Sequence, residues 1–110
     1  MDINMVAMSV IMNSCNGRDK VDESFTAMAA HDFAKAEKLL IEADAEILKA
    51  HKAQTEVIQA QAGGENTEYS LLFVHAQDTL MTSDAQLRIA RNMLPVFQAM
   101  QKEIEMTKGA

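Results

Sequence analysis

Only two places in this 110-residue chain force a helix to stop. They are His31-Asp32 and Gly63-Gly64-Glu65-Asn66; elsewhere there is one proline, Pro95, in a sequence dominated by alanine, methionine, leucine, glutamate and lysine. Two stops imply three helices. The chain length suits one domain with a modest core, so the expectation is an all-α, antiparallel three-helix bundle, a single domain over residues 1–110 with its core at about 4–105.

The first helix is expected from about Asn4 to Met28, with Val6, Val10, Val21, Phe25 and Met28 marking its apolar side. Its middle, Asn13 to Asp19, is poor in helix formers and predicts a bend. Asp32 offers a side-chain oxygen to cap a second helix over Phe33 to Ala62. That helix carries Ala36, Leu40, Ala43, Ile47, Ala50, Gln54, Val57 and Gln61 at alternating spacings of four and three, a heptad seam, with Lys35, Glu42, Glu46, Lys49, Lys52 and Glu56 on much of the remaining surface. Gly63 and Gly64 end it, and Asn66 or Thr67 is the expected cap of the third helix, which starts near Glu68.

The third helix has two stripes. One is Tyr69, Phe73, Ala76, Leu80, Ser83, Leu87, Ala90, Leu94 and Phe97; the other is Leu71, His75, Asp78, Thr82, Ala85, Ile89, Asn92 and Val96. A three-helix domain covers only one of them, so the second predicts a subunit interface in a closed homo-oligomer. Pro95 predicts a kink or a break toward Lys108.

His75 and Asp78 are the polar intruders on that second stripe, about 60° apart around the axis. The plain reading of each is a satisfied polar residue in a core or interface. For Asp78 it meets a difficulty: from Tyr69 to Ser83 no lysine or arginine occurs, and a buried lone carboxylate is costly. An odd-fold axis along this helix would bring copies of Asp78 together, where a hard cation with oxygen ligands would neutralise them.

Other chemistries are poorly served. The formal net charge of -6 argues against nucleic acid. Cys15 is a lone cysteine and the N-terminus lacks a signal-like apolar run, which points to a reducing, cytoplasmic setting; no apolar stretch reaches membrane-spanning length. His31, His51 and His75 show no zinc-binding spacing, Ser70 and Ser83 lack a nucleophile elbow, and Gly63-Gly64 lacks the lysine and hydroxyl of a phosphate loop. Nucleotide binding is therefore not expected. The nine methionines read as adaptable packing, with any exposed near His75 suiting a surface that accepts two partners.

Val74-His75-Ala76-Gln77-Asp78-Thr79-Leu80-Met81-Thr82-Ser83 resembles the signature of the lactose/cellobiose-type enzyme IIA components of the bacterial sugar phosphotransferase system. Ala50-His51-x-x-Gln54-Thr55 and Asp32-Phe33-x-x-Ala36 add to the likeness, which extends from Ile11 to Ile89. The resemblance implies a three-helix bundle that forms a homotrimer through its third helix. It implies that His75 accepts a phosphoryl group as tele-phosphohistidine from the histidine-containing phosphocarrier protein and passes it to a cysteine of enzyme IIB. Uptake of a β-linked disaccharide of the lactose, cellobiose or chitobiose class through the membrane enzyme IIC would follow. It also implies that Asp78 of three subunits shares a magnesium or another divalent cation. Auxiliary roles fall to Gln77, acting across a trimer interface, to Thr79 beside His75, and to His51 lining its cleft.

This chain departs from the family pattern at Thr79, where a second histidine is usual, and has Cys15 and His31 where glycines are usual. His31 reads as a turn residue that tolerates positive φ. The rival reading is a degenerate paralogue that keeps the fold as a regulatory or interaction module without phosphotransfer.

Overall fold

The computed structural model describes residues 1–109 as three α-helices: α1 (Ile3–Ala29), α2 (Phe33–Ala62) and α3 (Leu71–Gly109). The tight turn at 30–32 reverses α2 against α1, and a longer one reverses α3 again, so α1 and α3 run parallel in an up-down-up bundle of 68 × 20 × 18 Å.

α1 begins where Asp2 accepts the backbone N–H groups of Asn4 and Met5 at 3.1 and 3.3 Å. It is one continuous helix, and the weak helix formers around Asn13 to Asp19 do not interrupt it. The weak helix formers there serve packing instead. Ser14, Gly17 and Ser24 fall on the buried line with Ala7, Val10, Val21 and Met28. At Gly17 a Cβ would come within 2.6 Å of Ile47 Cγ1 and 3.2 Å of the Ala43 carbonyl oxygen, so only glycine lets α1 and α2 approach this closely.

His31 takes the left-handed turn conformation expected of it, with φ of 60°. Asp32 then caps α2 by accepting the N–H of Lys35 at 3.2 Å. The α2 seam is buried at Ala36, Leu40, Ala43, Ile47, Ala50 and Val57, while Gln54 is half-buried and Gln61 exposed. Gly63 donates to the Gln59 carbonyl at 2.9 Å and Gly64, at φ 90°, completes the exit.

α3 starts at Leu71 rather than Glu68, and its cap is Ser70 rather than Asn66 or Thr67. The Ser70 hydroxyl accepts the Phe73 N–H at 3.0 Å and donates to Asn4 Oδ1 at 2.7 Å, a link across 66 residues of sequence. Thr67 is engaged elsewhere, accepting from Gln61 Nε2 at 2.7 Å. Because the helix begins later, Tyr69 escapes the seam and is 83% exposed. The rest of the first stripe, Phe73 through Leu94, is buried, with Phe97 partly so. Pro95 does not end the helix: it is exposed, where its missing N–H costs one backbone hydrogen bond, and α3 runs through it to Gly109.

The methionines are not core filler. Only Met28 is buried, and the other eight are exposed. Four of them, Met1, Met5, Met8 and Met12, form a stripe along the start of α1.

Candidate functional site

The second stripe of α3 lies open along the whole helix. Leu71 is 70% exposed, and Ile89 and Val96 are each 53% exposed, a cost in apolar hydration that a second surface would relieve. Asp78, Thr82, Ala85 and Asn92 are also exposed. On a helix advancing about 100° per residue, the buried line centres roughly opposite Asp78, so this carboxylate points straight away from the core. Among the described residues it has no ion-pair partner.

His75 stands on the same open arc, about 60° round toward α1. It is exposed, one turn into the helix that Ser70 caps. Its carbonyl accepts the Thr79 hydroxyl at 2.9 Å. The parallel course of α1 and the Asn4–Ser70 hydrogen bond bring Met5 and Met8 level with His75. The methionine stripe points away from the buried line of α1, and its spacing of three and four was the signal in the sequence that could have found it.

Gln77 and His51 belong to a different side of α3. Gln77 is half-buried and about 160° from His75, on the line that continues through Asp84 and Arg91 toward α2. Asp84 Oδ2 is 3.7 Å from His51 Nε2, and Arg91 Nη2 is 3.0 Å from Asp44 Oδ1. Nine residues separate Asp84 from His75, about 13.5 Å of rise and half a turn of rotation. Within one chain His51 therefore does not line a cleft with His75, contrary to expectation.

No group of three His, Cys, Asp or Glu able to hold a metal occurs among the described residues. Asp78 alone cannot satisfy a dication that takes six or more oxygen ligands. Its fit to one is the fit of a symmetric set: an unpartnered carboxylate at the centre of an open apolar face, where copies would converge. Cys15 is half-buried on α1, its sulfur 3.6 Å from Arg18 Nη2. The most apolar hollow, about 370 Å³ between Phe25, Met28, Phe33, Phe97 and Ile104, lies at the opposite end of the bundle, some 33 Å along α3 from His75. An exposed imidazole without a pocket suits chemistry done on a docked protein rather than on an enclosed small molecule.

Known proteins share this fold. The chain is 37% identical over 97 residues to the lichenan-specific phosphotransferase enzyme IIA component of Bacillus subtilis, covering 88% of each. The cellobiose-specific enzyme IIA of Bacillus anthracis superposes with a TM-score of 0.87 at 30% identity, over 93% of this chain and 94% of that one. The chitobiose enzyme IIA of Escherichia coli, solved in complex with HPr, superposes with a TM-score of 0.79 at 27% identity, over 92% and 98%. Residues 5–98, which take in α1, α2 and α3 past Pro95, match the lactose/cellobiose-specific IIA subunit of the phosphotransferase system, and the chain belongs to that family.

Proposed function

We propose that this chain is a phosphoryl carrier in sugar uptake and that His75 carries the phosphoryl group. The observation behind the assignment is the exposed imidazole one turn into α3, on an open face and in the sequence context of the family's signature. The donor is the histidine-containing phosphocarrier protein, a reading supported by the relative solved bound to HPr. The acceptor is a cysteine of enzyme IIB, and enzyme IIC is the membrane component served. Relatives named for lichenan, lactose and cellobiose favour a β-linked disaccharide or its oligomers as the sugar.

Such transfer asks for position and charge stabilisation, with no bound nucleotide. An unprotonated ring nitrogen of His75 attacks phosphorus in line with the departing donor nitrogen, and the other ring nitrogen keeps its proton. On the exposed stripe, Leu71, Ile89 and Val96 offer the apolar contact for a homotrimer wound about α3. Asp78 from three subunits would hold a magnesium or similar cation on the axis, which would offset most of the charge of the converging carboxylates. Gln77 and His51, remote from their own His75, can act only toward a neighbouring subunit.

The experiment is incubation with phosphoenolpyruvate, enzyme I and the phosphocarrier protein. One acid-labile phosphate per chain, lost in His75→Ala, is the expected result. Absence of label, or label that survives the substitution, removes the carrier reading in favour of an interaction module that keeps the fold without transfer.

A further inference from the structure

Arg88, about 20 Å beyond His75 along α3, is an exposed guanidinium with no ion pair among the described residues. Asp84, four residues before it, and Arg91, three residues after, reach His51 and Asp44 of α2, so Arg88 stands on the α2 side of the open face. The α1 side carries the opposite charge at the same height. The Asn4–Ser70 hydrogen bond aligns the two parallel helices, and eighteen residues on from each, about five turns, come Asp22 and Arg88. Asp22 therefore keeps the side of α1 from which Asn4 reaches α3, while Arg88 looks out past the other side of α3. Asp22 and its neighbour Asp19 are exposed and have no ion pair. Lys52, next to His51, is a second exposed and unpaired cation on α2. The other cations at this height are engaged: Lys20 with Glu23 and Glu42, Lys49 with Glu46, and half-buried Arg18 against the Cys15 sulfur at 3.6 Å.

The two flanks are unlike, and that decides how a second copy can lie on the open face. Laid antiparallel, a second copy brings its α1 side to the α1 side of the first, carboxylate toward carboxylate, and Arg88 toward Arg88; like charges so placed oppose association. Turned about an axis along α3, it brings its α1 side to the α2 side of the first at equal height, Asp22 to Arg88. Resting on the homotrimer reading above, we infer that copies of this chain pack in parallel and in one rotational order, the α1 flank of each against the α2 flank of the next, with Arg88 of one copy on Asp22 of the neighbouring copy and Lys52 facing Asp19. Leu48, exposed midway between Asp44 and His51, gives the same contact apolar cover. Arg18, one turn before Asp22, backs the bridging carboxylate with a second cation from its own helix. Every such contact is head-to-tail, so the set is complete only when the ring closes. The apolar stripe of Leu71, Ile89 and Val96 supplies adhesion without direction, and the charged flanks supply the direction.

Sedimentation equilibrium of charge-reversed chains tests this. Arg88→Glu and Asp22→Arg should each raise the concentration at which the assembly dissociates about ten-fold at low salt, with α-helical circular dichroism unchanged. The two changes combined in one chain restore the pair with its charges exchanged, and should return that concentration to within about three-fold of the wild type. Lys38→Glu, an equal change of charge on the exposed surface of α2, should stay within about two-fold. Raising KCl from about 50 to about 500 mM should narrow the gap between the single variants and the wild type. Single variants that leave the assembly intact or tighten it, or a combined variant that simply adds the two losses, overturn the inference and leave the homotrimer standing. A wild-type chain that sediments as one copy even at about 1 mM overturns both, and the phosphate label on His75 still tests the carrier reading by itself.

Discussion

Thr79 gives its only hydroxyl proton to the backbone carbonyl of His75, 2.9 Å away, one turn back along α3. The side chain one turn beyond His75 therefore offers lone pairs and a methyl group, and no donor for a phosphoryl oxygen. Bonds of this kind slightly bend and weaken a helix. Thr79→Val should keep phosphoryl entry within about three-fold of the wild type and leave helicity unchanged or slightly raised. A ten-fold loss would mean that the hydroxyl turns toward the phosphoryl group in the complex.

Gly17 is the contact point of α1 and α2. Gly17→Ala regains about 1 kcal/mol of helix propensity, but its methyl group meets Ile47 and the Ala43 carbonyl, so a net loss of about 1–2 kcal/mol is expected in urea unfolding. Combined with Ile47→Ala, the two losses should be less than additive; full additivity would show that the glycine matters for another reason.

Ser70 and Asn4 act as one unit at the start of α3. Ser70→Ala should cost about 1 kcal/mol, the usual worth of a cap. Asn4→Ala should cost less, and the double variant little more than Ser70→Ala alone. A double-mutant cycle with no coupling would sever the link between the two termini.

The open face of α3 has its own test. Ile89→Lys puts a charge on the apolar stripe and should lower the sedimentation mass of the assembly toward one chain, with α-helical circular dichroism preserved. Asp78→Leu should abolish bound divalent metal, measured by atomic emission at about one ion per three chains in the wild type. Metal content unchanged in that variant would remove Asp78 from any cation site.

Sequence spacing was enough to read the α2 boundaries, its Asp32 cap, the buried stripe of α3 and the positive φ of His31. It misread what depends on partners far away in the chain. Ser70 caps α3 because Asn4 is there to hold it, and nothing within a local window distinguishes it from Thr67. The stretch around Gly17 looks like a weak point until Ile47 is brought against it. His51 was expected to line the cleft of His75 because spacing alone does not separate cleft from core faces, yet the rotation between His75 and Asp84 puts them on opposite sides of α3. The methionines were misjudged for a related reason: composition reports their softness, and only the fold says which of them face water.

The parallel course of α1 and α3 has one more effect. Two helices begin at the same end of the bundle, and the first turn of each exposes backbone N–H groups that amount to about half a positive charge. Asp2 caps one of these termini, and Glu68 lies just before the other. The backbone thus supplies a counter-charge to both carboxylates, so the start of each helix holds an acidic residue with no lysine or arginine beside it in sequence.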